Sequence, residues 1–153
     1  MTLEQKMLVR QMELKEADLS QILQIETSAF NSFDAYDRED FRRWFRRNPA
    51  LCLVAEIEGR IAGYGIARIL EDKAELASLA THSDFRRLGV GSALLQEIIR
   101  RVEMYEVQQI ELEVRKTNLD GFQFWKKMGF CPVGELPRFY EDGEDAIQMR
   151  KYL

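Results

Sequence analysis

Leu79–Leu95 reads LATHSDFRRLGVGSALL, and this stretch decides how the rest of the chain is read. It starts as an apolar strand, turns through Arg86, Arg87, Gly89 and Gly91, and enters the apolar spacing of an amphipathic helix. A helix N-terminus presents backbone N–H groups that lack intrahelical acceptors, and glycines let a ligand approach the main chain. Arginines add charge-assisted donors. R-x-x-G-x-G at the head of a helix therefore has the chemistry of a pyrophosphate site. The same glycines suit an ordinary strand-to-helix turn, and spacing alone leaves both readings open. The pattern is not G-x-G-x-x-G after a first strand, since the turn lies mid-chain and lacks the third glycine. The phosphate loop G-x-x-x-x-G-K-[ST] is absent.

Working outward, Lys73–Thr81 is the strand that feeds the turn, and Val90–Met104 is the helix that leaves it. Upstream, Lys6–Glu13 alternates as a strand, and Ala17–Ala29 places Leu19, Ile22, Leu23 and Ile25 at helical spacing. Arg38–Arg47 is a second helix closed by Asn48-Pro49, and Leu51–Glu58 with Arg60–Leu70 forms a hairpin around Glu58-Gly59. Downstream come a strand at Gln109–Arg115, a helix at Leu119–Met128 ending at Gly129, and strands near Pro132–Phe139 and Asp145–Tyr152. The turn Glu141-Asp142-Gly143 joins the last two. The order β-α-α-β-β-β-α-β-α-β-β predicts an α/β (α+β mixed) fold, a mixed sheet with helices on both faces.

Composition narrows the class. A length of 153 residues fits a single domain, 1–153, with one sizeable core. Hydrophobic and charged shares of 46% and 31% are those of a soluble protein, and no apolar run nears the roughly 20 residues of a membrane span. MTLEQKMLVRQ lacks the apolar core of a signal peptide. Cys52 and Cys131 are too few to staple a secreted scaffold, and no Cys/His cluster has zinc spacing, so a cytoplasmic protein without a metal is expected. A net charge of −4 argues against general nucleic-acid binding.

HSDFRRLGVGSALL resembles the acetyl-CoA pyrophosphate motif of the GCN5-related N-acetyltransferase (GNAT) family, with Ser83 at the family's usual proline. LEVRKTNLDGFQFWKKMGF (Leu112–Phe130) is similar to the family's strand–Asn–helix–GF segment. RFYEDGEDAIQMRKYL is similar to the closing strands of protein N-terminal acetyltransferases, including the ribosomal-protein-alanine type. The resemblance implies a mostly antiparallel twisted sheet and acetyl-CoA as co-substrate. It also implies an amine acceptor, foremost a protein or peptide N-terminus. Small amines, protein lysines and a non-catalytic acyl-CoA-binding role remain open, as does a homodimer.

The resemblance also implies a site. Leu79, Ala80 and Thr81 would run along the pantetheine arm, and Arg86, Arg87, Leu88, Gly89, Val90, Gly91 and Ser92 would hold the pyrophosphate. Asn118 matches the family's pantetheine asparagine, and its place before Leu119 equally suits a helix N-cap. Trp125 stands where the family usually has a tyrosine that protonates the leaving thiolate. Indole donates a hydrogen bond but does not act as an acid near neutral pH, so Tyr140 is the substitute candidate. Core packing is the other reading of Trp125. Phe139 and Tyr140 match the aromatic pair at the peptide entrance, Glu26 matches an acid at the end of the first helix, and Phe33 and Tyr36 follow in the loop that walls the acceptor pocket.

Glu113 is the candidate general base. Ile110, Leu112 and Val114 point one way along their strand and Glu111 and Glu113 the other, which suggests an open cleft on the acidic face. A solvated strand end is the competing reading, and Glu75 is a second candidate. His82 reads as a turn or packing residue, and both cysteines as small packed hydrophobes. Arg42, Arg43, Arg46 and Arg47 read as a solvated helix face or a contact for acidic groups.

Overall fold

A computed structural model describes residues 6–30 and 34–153. Among the described residues the strands are β1 (Met7–Gln11), β2 (Cys52–Ile57), β3 (Arg60–Leu70), β4 (Lys73–Thr81), β5 (Gln109–Arg115), β6 (Cys131–Leu136) and β7 (Ala146–Tyr152). The α-helices are α1 (Glu16–Ala29), α2 (Arg38–Arg47), α3 (Val90–Glu103) and α4 (Leu119–Lys127). One sheet runs β1-β2-β3-β4-β5-β7-β6. Only β4 and β5 are parallel, as the crossover through α3 requires. No helix among the described residues is long and apolar enough to cross a membrane.

The elements follow the sequence expectation to within a few residues, and the departures have local causes. β1 stops at Gln11 because the Glu13 N–H turns to Asp18 Oδ2 at 2.9 Å, a bond that opens α1. β6 stops at Leu136 because Arg138 takes a left-handed conformation, φ 50°, and the Tyr140 N–H closes the hairpin tip on Glu144 O. α2 begins with a reciprocal capping box between Asp37 and Asp40.

Each face of the sheet is covered. Leu19, Ile22, Ile25 and Phe41 of α1 and α2 pack on Val54, Tyr64 and Ile66. Leu94, Leu95, Ile98 and Val102 of α3 pack on Leu53, Leu76, Ile110 and Leu112. The close approach of α3 depends on Gly63, where a Cβ would lie 2.8 Å from both Ala80 O and Val90 Cγ1. Cys52 is buried as expected. Cys131 corrects the expectation, because it opens β6, an edge strand, and is exposed.

Two irregularities make room for a site. A bulge at Ala77 shifts the β3–β4 register, from Ile66↔Ser78 to Ala67↔Leu76. The extra residue reverses the alternation of β4: Leu76 faces the α3 core, whereas Ser78 and Ala80 face α1 and α2. The second is a fork. β4 and β5 pair only at Ala74↔Ile110 and Glu75↔Glu111 and then separate.

Candidate active site

A cleft of about 1040 Å³ opens in the fork, lined by Glu75–Thr81 of β4 and Leu112–Arg115 of β5. Backbone groups on the β5-facing edge of β4 beyond Glu75 have no partner strand, so they are left for a ligand. Leu79, Ala80 and Thr81 lie here, as the sequence suggested.

On the α3 and α4 side the cleft is basic. Gly89 is the N-cap of α3 with φ 80°, a left-handed geometry that glycine adopts without strain, and it caps with no side chain. The first N–H groups of α3 therefore lack intrahelical acceptors and face an anion seat. Arg86, Arg87, Val90, Gly91 and Ser92 line the cleft around it. A Cβ at Gly91 would rest in ordinary contact with Phe124 Cζ, 3.4 Å away. Leu88 differs from its neighbours, because its side chain packs on the core rather than lining the cleft. Lys127 of α4 lines the cleft as a further cation that the sequence reading missed. Its place three residues after Phe124 on one helix face was the available signal. Asn118 serves as N-cap, accepting from the Gly121 N–H at 3.0 Å, and lines the cleft as well. Trp125 packs edge-on to Phe130 with ring centroids 5.5 Å apart, and it also reaches the cleft.

On the α1 and α2 side the cleft is acidic. Glu26, Asp34, Glu75 and Glu113 line it, with Tyr36, Phe139 and Tyr140 as aromatic walls. Phe33 lies outside the described residues. Glu26 is only 2% exposed. Its Oε2 accepts from the Tyr36 N–H at 2.9 Å, whereas Oε1 is buried without a partner among the described residues. Burial, and then the charges of Asp40 and Asp34, push its carboxyl up to about 7. Tyr36 is half-buried. It stacks on Trp44 with centroids 6.3 Å apart and meets Phe41 edge-on at 5.8 Å. Burial pushes the Tyr140 hydroxyl up to about 12, and Arg115 lies 4.0 Å from the Tyr140 ring centroid.

The two glutamates of β5 have different fates. Glu111 is buried among Lys73, Gln109, Gln148 and Arg150, at 2.8 to 3.5 Å. Glu113 is half-buried in the cleft and has no hydrogen-bond or ion-pair partner among the described residues. Burial raises its proton affinity, and the neighbouring charges of Glu75 and Glu111 raise it further. Glu75 is paired with Arg68 at 3.0 Å.

The remaining candidates are structural. His82 Nδ1 accepts from the Asp84 N–H at 3.0 Å and so caps a short 3₁₀ turn, Ser83–Phe85. Arg42 and Arg43 pair with Glu39 and Asp40 along α2, and Arg47 lies over Trp44. None of the five α2 arginines is among the residues lining the cleft.

A strand that forks away from its parallel neighbour beside an anion-binding helix start is a coenzyme cleft, and the comparisons with known proteins agree. Residues 18–130 match the Acetyltransferase (GNAT) family. An N-alpha-acetyltransferase from Sulfurisphaera tokodaii is 34% identical over 86% of each chain. The ribosomal-protein-S18-alanine N-acetyltransferase from Escherichia coli superposes with a TM-score of 0.79 at 27% identity, covering 95% of this chain and 93% of that one. Ard1 from Thermoplasma volcanium has the same fold, with a TM-score of 0.89 at 24% identity over 97% and 98% of the two chains. The chain belongs to the GNAT family. It is an acetyl-CoA-dependent N-acetyltransferase.

Proposed function

We propose that the acceptor is the N-terminal α-amine of a protein or peptide, acetylated directly in the cytoplasm. The observation that carries this reading is the polarity of the cleft. Arg86, Arg87 and Lys127 line it on the α3 and α4 side, and Glu26, Asp34, Glu75 and Glu113, with Arg115 as their cation, on the other. A polyanionic coenzyme suits the first set and a cationic amine the second. The seven residues of β4 from Glu75 to Thr81 run along the cleft for roughly 20 Å. The names of the relatives above support the same acceptor, and two unpaired cysteines fit a reducing compartment.

The chemistry asks little covalent work of the protein. An α-amine has a reference pKa of about 7.7–8.0, against about 10.4 for lysine, so near neutral pH a weak base suffices for the former. Glu113 takes the proton as the amine nitrogen bonds to the thioester carbonyl carbon. Backbone N–H groups of β4 polarise the carbonyl oxygen. The C–S bond then breaks, and the thiolate takes its proton from Tyr140, with the Trp125 indole able to donate a hydrogen bond. The side chains of Arg86, Arg87 and Lys127 and the N–H groups of Val90, Gly91 and Ser92 hold the pyrophosphate. Glu26, Tyr36 and Phe139 wall the acceptor.

The test is thiol release from acetyl-CoA. Three acceptor sets are compared: peptides with free N-termini, the same peptides N-blocked but carrying an internal lysine, and small amines. Release with the first set alone is the expected result. Release only with small amines or with blocked lysine peptides overturns the α-amine reading.

A further inference from the structure

We propose that Arg115 is a positioning residue of the acceptor site, strapping the segment between α1 and α2 to the β6–β7 hairpin and holding the Tyr140 ring between them. The proposal rests on the reading of that side of the cleft as the place where the acceptor binds.

Arg115 is the last residue of β5, and its guanidinium is divided among three carboxylates. Nε and Nη2 each donate to one oxygen of Asp34 at 2.8 Å. Nη1 donates to Asp142 at 2.9 and 3.1 Å and to Glu144 at 2.9 Å. The Tyr140 ring centroid lies 4.0 Å from the guanidinium carbon, within the range of a cation–π contact. Asp34 belongs to the α1–α2 connection, and Asp142 and Glu144 to the hairpin tip. One side chain thus joins two segments far apart in sequence, each of which supplies walls of the acceptor pocket: Tyr36 from one, Phe139 and Tyr140 from the other.

Three features argue against an incidental surface pair. The Arg115 side chain is only 15% exposed, and its partners range from 20% to 31%. The Asp34 contact is bidentate, a geometry that only a planar guanidinium fork provides. Three carboxylates converge on one cation, so without it they would repel one another, and the segments bearing them would separate. The cluster remains anionic overall, which lets Arg115 order the mouth without reversing its attraction for an ammonium group.

The hairpin has anchors of its own. The Thr117 N–H donates to Glu144 at 3.1 Å and the Arg138 N–H to Asp145 at 2.9 Å. Replacing Arg115 should therefore leave the fold in place and release the relation between the two walls.

The experiment compares Arg115→Lys, Asp34→Asn and the double variant with the wild-type chain. Lysine keeps the charge but cannot fork. The KM of whichever acceptor the wild-type protein turns over should rise about 10-fold or more in each single variant, because displaced walls misplace the amine. The KM for acetyl-CoA should stay within about two-fold, and the double variant should be no worse than either single one. Hydrogen exchange should quicken both around Asp34 and across Phe139–Glu144 in Arg115→Lys. An unchanged acceptor KM in both single variants, additive losses, or equal rises in both KM values would overturn the strap. If the wild-type protein turned over lysine or small amines instead of N-termini, the α-amine reading would fail while the strap was still scored with that acceptor. Were no acceptor turned over, exchange alone would decide: coupled quickening supports the strap, and unchanged exchange removes it.

Discussion

Arg68 donates both Nε and Nη2 to a single oxygen of Glu75, at 3.3 and 3.0 Å, and its guanidinium lies 5.1 Å from the Trp44 ring centroid. Glu75 is thereby charge-compensated at the neck of the fork, as Glu111 is by Lys73 and Arg150. Glu113, beside both, makes no direct pair with either set, although the charges of Lys73 and Arg68 partly offset the effect of burial and of its anionic neighbours. Two fixed anions next to a half-buried, unpaired carboxyl favour its protonated form, so the unpaired member of the three is the one able to exchange a proton.

This gives a signed prediction. Activity requires ionised Glu113, so the acid limb of the kcat/KM profile should lie above the ordinary carboxylate range. Glu75→Gln removes an anion and should move that limb to lower pH. Arg68→Met leaves Glu75 uncompensated and should move it to higher pH. Glu113→Gln should lower kcat by about 100-fold or more, abolish the limb and leave acetyl-CoA affinity nearly intact. Full activity of Glu113→Gln across the pH range would remove Glu113 from the mechanism.

The basic side should respond differently. Gly91 lines the cleft and a Cβ there would already touch the Phe124 ring at 3.4 Å, so the two further methyls of Gly91→Val should crowd the anion seat. Acetyl-CoA binding measured by calorimetry should be lost in that variant. Lys127→Ala removes one cation without touching the helix N-terminus. It should weaken binding several-fold at low salt and less at high salt, because exposed charges are screened.

How much of this was legible in the sequence depends on whether a residue's partner is near it in the chain. The glycine turn before α3, the Asn118 cap and the placing of His82 in a turn are local, and each was readable from a few consecutive residues. Glu111 and Glu113 share one strand face, yet one is buried in ion pairs and the other opens on the cleft. The difference lies in Lys73, Gln148 and Arg150, which stand 37 to 39 residues from Glu111 in sequence. Alternation identifies a face but not its contacts. Arg115 is the stronger case, because its bidentate partner Asp34 is 81 residues away. The fork was hidden for a related reason: a bulge that reverses the phase of β4 leaves no mark in an apolar run such as Leu76–Ala80.

Glu26 links stability to pH. Its carboxyl holds a proton up to about 7 in the folded chain, against 4.5 for the ordinary group, chiefly because it is buried. The folded state therefore binds this proton more tightly than the unfolded one. The resulting stabilisation is whole below about pH 4.5 and is lost as pH rises through about 7. Glutamine cannot ionise, and it can still accept from the Tyr36 N–H. Glu26→Gln should match the wild type in urea unfolding at about pH 3.5, where the carboxyl is protonated in both states. At pH 8.5 it should be more stable, by on the order of 3 kcal/mol at most. Its acceptor KM should nevertheless rise if the buried Oε1 serves the substrate. Equal stability gaps at the two pH values would show that Glu26 does not titrate in this range.

The leaving thiolate is the last place where two residues compete. Tyr140 keeps its proton throughout the working range, since burial pushes its hydroxyl up to about 12. A hydroxyl that can both donate and release a proton suits a thiolate better than an indole, which can only donate. Trp125 meanwhile has a packing duty that accounts for its size, edge-on to Phe124 at 4.9 Å and to Phe130 at 5.5 Å. Tyr140→Phe keeps the ring against Arg115 and removes only the hydroxyl. It should lower kcat by about 10-fold or more with little change in the KM for acetyl-CoA, since general acid catalysis contributes on this scale. Trp125→Phe keeps an aromatic on the α4 face and removes the N–H, and kcat should hold within about three-fold. The reverse pattern, a large loss in Trp125→Phe with an active Tyr140→Phe, would place the indole on the sulfur and leave solvent as the source of the proton. A thiol with a pKa near 8.5 leaves readily enough to make that route workable.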